Sequence, residues 1–116
     1  MADWESFETR DFMIYVQVTY RIRQEHAEQA ERQIAAFVAT LQNNHARFAT
    51  YNIFRHVNDA ASLVHHISFR DHEAQLEHTQ SAHVRRFVES MLPLCEVGPV
   101  YTELREVGTK IATVNA

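Results

Sequence analysis

The chain has 116 residues, of which 46% are hydrophobic and 22% charged, and its formal net charge is −4. This composition is typical of one small globular domain and is too hydrophobic for a disordered chain. The acidic balance argues against a nucleic-acid surface, and the longest apolar run is far too short to cross a membrane, so neither is an expected partner.

The hydrophobic pattern predicts four strands and two helices. Residues 1–11 are an acidic arm, and an alternating aromatic and β-branched run follows as the first strand. Asp71 is the predicted N-cap of the second helix, and Gly98-Pro99 is expected to break the chain before the last strand. The predicted elements are a strand over 12–22, a helix over 24–43, strands over 49–57 and 62–69, a helix that follows Asp71 and ends near Leu92-Pro93-Leu94, and a strand over 100–107.

The order βαββαβ is the ferredoxin-like arrangement, an α+β fold with two helices on one face of a four-stranded antiparallel sheet. One such domain would cover residues 12–107, between the arm and a C-terminal tail over 108–116. A short Asn-Asp turn joins the second and third strands and predicts a hairpin between them.

Apolar residues are expected on both faces of this sheet. The even-numbered residues of the first strand form one apolar face, and Tyr15, Phe54, Ile67 and Phe69 cannot all fit under the same two helices. A bare apolar sheet face is uncommon in soluble monomers. We therefore expect a homodimer packed sheet to sheet, with a small-molecule pocket between the two sheets.

The numbers of cysteines and glycines limit the expected cellular location and the expected cofactors. The single cysteine, Cys95, cannot form an internal disulfide, and the start of the chain has no apolar segment of a signal peptide. A reducing, cytoplasmic location is therefore expected. The two glycines are too few for a phosphate-binding loop or a dinucleotide fingerprint, so a nucleotide cofactor held by these routes is not expected.

The segment from the third strand into the second helix carries a recognisable pattern. An aromatic residue ends the strand, a short acidic turn follows, and the helix carries Ala-x-x-x-His, then Ser-x-His and a Phe. These residues are Phe69, Asp71, Ala74, His78, Ser81, His83 and Phe87. With the βαββαβ order, the chain resembles, over roughly residues 12–107, the antibiotic-biosynthesis-monooxygenase type of the dimeric α/β-barrel superfamily.

This resemblance implies a small homodimer with one pocket per subunit. Many members of the family oxidise quinol-like or anthrone-like aromatics with dioxygen and without a metal or flavin, whereas others degrade haem or isomerise sugars. The sequence departs from the oxygenating members, because His65 and Phe69 stand where they carry Asn and Trp, and Gln75 stands where many carry Tyr. Val88 stands near the iron-ligating His of the haem-degrading branch, and a valine cannot ligate iron, which disfavours haem degradation.

Three histidines lie within the second helix region, and their spacing decides against a metal site. His72 and His78 are six residues apart, and His78 and His83 are five apart, so neither pair shares a helix face. His72 is expected at the surface, and His83 shares an apolar stripe with Phe87. His78 faces either the surface or, if the helix breaks at Ser81, the pocket.

The site hypothesis combines strand parity with the resemblance. The resemblance puts the face with His65 and Phe69 in the pocket, and the first strand is assigned its more amphiphilic face. The candidate catalytic residues are His65, Asn52 and His78, and the candidate substrate-binding residues are Tyr15, Gln17, Thr19, Phe54, Phe69 and His83.

The leading functional hypothesis is a cofactor-independent monooxygenase that oxidises a small electron-rich aromatic with O2. His65 would take the phenolic proton, and Asn52 and Gln17 would hold the developing oxyanion. Phe54 and Phe69 would stack on the aromatic ring. The alternatives are a small-molecule-binding domain without turnover and an isomerase-type member of the same fold.

Overall fold

The computed structural model describes residues 13–43 and 47–108, and its element order confirms the predicted ferredoxin-like α+β fold. The predicted arm over 1–11 and all but the first residue of the predicted tail lie outside the described residues. The strands are β1 (Ile14–Ile22), β2 (Thr50–Arg55), β3 (Ser62–Phe69) and β4 (Cys95–Leu104), and the helices are α1 (Ala27–Asn43), α2 (His72–Gln80) and α3 (Ala82–Met91). Short 3-10 turns span Gln24–His26 and Leu92–Leu94. In the part of the chain that is described, no helix is long and apolar enough to cross a membrane.

The four strands form one antiparallel sheet in the order β2-β3-β1-β4. Facing residues of an antiparallel pair point to the same side of the sheet, so the register sorts the side chains into rows. One row across the sheet contains Ile53, His65, Val18 and Tyr101. This register places His65 on the side of the sheet that the helices cover.

The core lies between that side of the sheet and the helices. It contains two groups of buried residues. One includes Tyr20, Ile22, Leu63 and Met91, and the other includes Ile14, Val16, Ile67 and Phe69. Ile67 and Phe69 therefore lie under the helices, whereas Tyr15 and Phe54 lie on the open side of the sheet.

The second predicted helix is two helices, α2 and α3, separated at Ser81. Asp71 caps α2 as predicted, because its side chain accepts the N–H of Ala74 at 2.8 Å. Ser81 has extended backbone, accepts the N–H of Val84 at 3.4 Å and donates its hydroxyl to the carbonyl of His78 at 2.9 Å. The break ends α2 with His78 buried.

The Ser81 cap gives a stability prediction. Ser81→Ala removes the hydroxyl that caps α3, so the free energy of unfolding is expected to fall by about 1 kcal/mol. Urea denaturation monitored by circular dichroism measures the change. Ser90→Ala is the matched control, since the Ser90 hydroxyl only bonds back to the carbonyl of Phe87 inside α3. Equal losses in the two variants would contradict the capping role.

The last strand begins earlier than predicted. The sequence placed a break at Gly98-Pro99 and a strand from Val100, but β4 starts at Cys95 and runs through the dipeptide. The strand tolerates a proline because β4 lies at the sheet edge and needs partners on one side only. Its register with β1 also shifts beside this dipeptide, as at a β-bulge.

Candidate functional site

A cavity of about 430 Å³ lies between the sheet and the helices of one chain. Most of its wall is apolar and aromatic, and includes Val18, Ile67, Phe37, Val84, Phe87 and Met91. A volume in this range suits a drug-sized ligand. This cavity lies on the opposite side of the sheet from the pocket expected between two packed sheets, in a space that the helices cover.

A buried chain of three polar side chains crosses the cavity wall. The Tyr20 hydroxyl lies 2.8 Å from Nε2 of His65, and the Tyr51 hydroxyl lies 2.9 Å from Nδ1 of the same ring. β1, β2 and β3 each supply one of the three residues. His65 is 2% exposed, so both ring nitrogens exchange hydrogen bonds with protein groups instead of water.

Burial determines the charge states of Tyr20, His65 and Tyr51. It lowers the pKa of His65 to about 4, and the nearby His78 adds to the effect, because a positive charge is disfavoured in an apolar setting. Burial also raises the pKa of Tyr20 and of Tyr51 well above its usual value. All three groups are therefore neutral at pH 7, and His65 can accept a proton.

His78 lines the same cavity from the end of α2. Its ring meets those of Phe69, Tyr51 and Phe48, with centroid distances of 5.4, 5.7 and 6.1 Å. Burial lowers its pKa to about 4, with the charge of His83 a smaller cause. Its Nδ1 is fully buried and has no hydrogen-bond partner among the described residues. His78 lies four residues after buried Ala74 in α2, so both side chains are on the helix face that packs on the sheet, and His78 takes the pocketward orientation that the sequence left open.

The structure separates the predicted site residues into two groups. His65, Phe69 and His78 lie beneath the helices. Tyr15, Gln17, Thr19, Asn52 and Phe54 lie on the open side of the sheet. The placement of these five in one pocket with His65 is wrong, because the odd-numbered residues of β1 pair with the even-numbered residues of β3. Gln17 and Asn52 share a row there with His66, to which Gln17 hydrogen bonds.

Phe69 and His83 lie near the cavity without lining it. Phe69 is 1% exposed and packs against Ala74 and the His78 ring, so it positions His78 and cannot stack on a ligand. His83 faces a separate groove between α1 and α3. Gln75, at the position where the resemblance implies Tyr, donates to the hydroxyl of Tyr101 at 2.8 Å, and Tyr101 lines the cavity.

Sequence reasoning did not identify Tyr20 and Tyr51 as site residues. Both stand on strand faces that otherwise carry apolar residues, and such faces do not indicate a polar site. A signal was nevertheless present, because a buried tyrosine hydroxyl requires a hydrogen-bond partner and His65 is the polar residue in the middle of the facing apolar row. Three polar groups on neighbouring buried faces predict a shared network once the register is known.

Within residues 13–43 and 47–108, no cluster of three or more His, Cys, Asp or Glu side chains has the geometry to hold a metal ion. Cys95 lines the cavity, where burial raises the pKa of its thiol, and its Sγ donates to the carbonyl of Met91 at 3.4 Å. A protonated thiol of this kind packs as a small hydrophobic group.

Comparison with known proteins agrees with this fold. The sequence model for antibiotic biosynthesis monooxygenase matches residues 13–90, which is more than half of the chain. The chain belongs to the antibiotic biosynthesis monooxygenase family. None of the curated proteins matches the sequence at a significant level.

Solved structures with this family's fold align with nearly all of the domain. One antibiotic biosynthesis monooxygenase aligns with a TM-score of 0.75 and 16% identity, over 82% of this chain and 99% of that one. A proposed antibiotic biosynthesis monooxygenase of Caulobacter crescentus aligns with a TM-score of 0.75 and 18% identity, over 92% and 100% of the two chains. A Bacteroides thetaiotaomicron protein of unknown function, suggested to be an oxidoreductase, gives 0.70 and 17%, over 83% and 99%. At these identities the similarity shows the fold alone.

Proposed function

We propose that this protein is a cofactor-independent monooxygenase that oxidises a small hydroxyaromatic compound with O2. The observation that supports the proposal best is neutral, buried His65, held between two tyrosines in the wall of an apolar cavity. The cavity's aromatic wall fits a planar ring, and the network offers a route for the proton of its hydroxyl. Family membership is consistent with this class of reaction.

Tyr51 connects the substrate to His65 in this proposal. Both nitrogens of His65 are occupied by tyrosines, so a substrate hydroxyl would donate to the Tyr51 oxygen while Tyr51 passes its own proton to Nδ1. The low pKa of His65 keeps the acceptor free at pH 7. The phenolate formed nearby stabilises the imidazolium, because opposite charges in an apolar site attract strongly.

The remaining steps need only the phenolate and dioxygen. The phenolate transfers one electron to O2, and the two radicals combine at a ring carbon ortho or para to the original oxygen that carries a hydrogen. The proton held by His65 then returns to the peroxide. The hydroperoxide formed there loses water, which leaves a carbonyl. One oxygen atom enters the product and the other leaves as water with the two hydrogens lost by the substrate. The substrate supplies every electron, so the reaction balances without a cofactor.

The test of this proposal is oxygen uptake with a panel of naphthols, quinols and anthrones. At least one substrate is expected to give protein-dependent uptake, with one O2 consumed for each quinone formed. With 18O2, one labelled atom is expected in the product. Absence of protein-dependent uptake across the panel would contradict the monooxygenase proposal.

A binding domain without turnover is the second candidate, and one observation favours it. Each nitrogen of His65 already has a tyrosine partner, so no free basic lone pair of this ring faces the cavity. In that case a cavity ligand would raise the melting temperature in proportion to its affinity, while no product appears. An isomerase-type reaction would use the same proton route and would proceed without oxygen.

The proposed site is part of a homodimer formed through the open side of the sheet. Phe54, Val100 and Leu104 are exposed there, at 49%, 53% and 43%, and the half-buried Val64 lies at the centre of that side. Soluble monomers seldom leave such a patch in water. A second copy packed sheet to sheet would cover it.

The dimer makes a prediction about mass in solution. Wild-type protein is expected to sediment at about twice the chain mass of 13.5 kDa. Val64→Lys places a charge at the centre of the proposed interface and is expected to give monomers, because an unpaired buried charge is costly. Val57→Lys, at a residue that is 98% exposed in the β2–β3 turn, is the control and should remain dimeric. A monomeric wild type in analytical ultracentrifugation would refute this interface.

A further inference from the structure

The Tyr20–His65–Tyr51 chain has one hydrogen more than its internal bonds can use. With His65 neutral, the chain carries two hydroxyl hydrogens and one ring N–H, but only two links join its members. One tyrosine hydroxyl must therefore point away from His65. Neither hydroxyl has a second partner among the described residues, so the spare donor is available to whatever enters the cavity that both tyrosines line.

The surroundings of the two ends decide which hydroxyl is the spare donor. Tyr20 lies in the apolar core group with Leu63, Met91 and Leu94. The Tyr51 ring instead lies beside that of His78, 5.7 Å away between centroids. A ligand oxygen would be desolvated with a single partner at the Tyr20 end and would find a second polar group at the Tyr51 end.

His78 has a defined hydrogen position by the same reasoning. Its Nδ1 is sealed from water and unpartnered, and an unpaired buried N–H is rarer than an under-satisfied acceptor. We assign the hydrogen to Nε2, which leaves Nδ1 as an unpartnered acceptor instead of an unpartnered donor. Since Nδ1 is sealed, Nε2 is the ring nitrogen that can meet a ligand from the cavity wall. For a ligand with an acceptor oxygen, His65 carries its hydrogen on Nδ1, so the Tyr51 O–H turns to the ligand and forms a pair of donors with His78 Nε2–H. A substrate hydroxyl instead selects the other tautomer of His65, in which Tyr51 donates to Nδ1.

We infer that the cavity selects planar aromatic ligands that carry an acceptor oxygen, a carbonyl or a phenolate, and that this oxygen binds between Tyr51 and His78. A carbonyl oxygen has two lone pairs, which matches two donors. A ligand without the oxygen would leave both donors buried and unpaired, and so would be rejected. The inference rests on the proposed use of the cavity and names the substrate feature that it reads.

A pair of inert tricyclic compounds tests the inference without turnover. 9-Fluorenone has a carbonyl where fluorene has a methylene group, and the two have nearly the same shape. Wild-type protein is expected to bind fluorenone about 5- to 30-fold more tightly than fluorene, the range that one or two net hydrogen bonds give. The carbonyl stretch of bound fluorenone, measured by infrared difference spectroscopy, is expected at lower frequency than in an apolar solvent.

Two matched variants locate the donor. Tyr51→Phe is expected to remove most of the preference for fluorenone and the frequency shift, while fluorene binds at least as tightly as in the wild type, because no Tyr51 hydroxyl is left unpaired beneath it. Tyr20→Phe removes the other hydroxyl of the same chain and is expected to keep the shift. Loss of the shift in Tyr20→Phe alone would place the donor at the wrong end and overturn the inference.

The outcomes also separate this inference from the proposed function. Equal affinity of the wild type for the two compounds would overturn the oxygen selectivity and leave the cavity as a binding site. Failure of both compounds to bind would overturn the aromatic cavity itself, and with it both proposals. Selective fluorenone binding without oxygen uptake would support the inference and favour the binding domain over the oxygenase.

Discussion

Oxygen uptake with a hydroxyaromatic substrate is expected to fall about 100-fold or more in His65→Gln, the usual size of a lost general base. The glutamine amide has one acceptor and one donor group, so it can still bridge the Tyr20 and Tyr51 hydroxyls. It cannot take up a proton at pH 7. The substitution therefore keeps the wall of the cavity and removes the basic group that the proposed mechanism requires.

The control for this result is the same substitution at a histidine outside the cavity. His72 is exposed at the start of α2, where it hydrogen bonds to Gln75, and His72→Gln makes the same chemical change outside the cavity. Initial rates in an oxygen electrode, with circular dichroism to verify folding, measure both variants. Full turnover by a folded His65→Gln protein would show that His65 is not the base.

Fluorenone affinity separates a loss of chemistry from a loss of the cavity. If His65→Gln only disordered the wall, fluorenone binding and oxygen uptake would fall together. If it removed the base, binding would be largely retained while turnover falls. The pattern for Tyr51→Phe differs, because Tyr51 contacts the ligand oxygen in the proposed arrangement and both measurements should change.

The fold was predictable because its elements carry strong local patterns. β1 alternates strictly, α1 has an apolar stripe at helical spacing, and Asp71 is a good N-cap residue. The beginning of β4 was less predictable. Gly98-Pro99 reads as a break in isolation, and only the edge position of the strand, with a register shift beside it, explains why the strand continues.

The site was predicted only in part, because strand parity is a property of pairs of strands. The face of β3 that carries His65 could be read from the sequence, but the face of β1 that shares its side depends on the register. The amphiphilic face with Gln17 resembled a pocket wall, and it lies on the open side of the sheet. The pattern beneath the helices looked apolar because Tyr20 and Tyr51 stand among aliphatic residues on their strand faces.

His78 shows why the buried face of a helix with few apolar residues is hard to predict. The sequence left two orientations of His78 open, and a helix continuous through Ser81 was expected to point it to the surface. In the structure Leu76 is 54% exposed, whereas Ala74 and His78 are buried. These two residues are four apart, so they share the face of α2 that packs on the sheet.

Acidification from pH 7.5 to pH 5 is expected to destabilise this protein through the same two histidines. In the folded chain the pKa of His65 and of His78 is lowered from 6.5 to about 4. Between pH 6.5 and pH 4 the unfolded chain therefore binds more protons than the folded chain, and stability rises with pH in that window. Above pH 6.5 both histidines are neutral in the folded and the unfolded chain, so they do not lower the stability. Below pH 4 both are protonated in either state, and the loss of stability is complete.

The size of this effect follows from the two pKa values. At pH 5 each histidine is expected to cost about 2 kcal/mol of unfolding free energy relative to pH 7.5, and the pair about 4 kcal/mol. That is a large fraction of the stability of a small domain. The two rings interact, so the loss belongs to the pair and is not divided cleanly between them.

Urea unfolding at a series of pH values between 4.5 and 7.5 measures the loss, and variants assign it. His65→Gln and His78→Gln should each flatten the dependence, and the double variant should remove most of it. Subtracting the curves of wild type and variant cancels the contribution of the carboxylates, since every form retains them. His72→Gln is the control for removing a surface histidine. A pH dependence that is unchanged in the double variant would mean that neither ring is buried in its neutral form, and the proton acceptor proposed for catalysis would be lost with it.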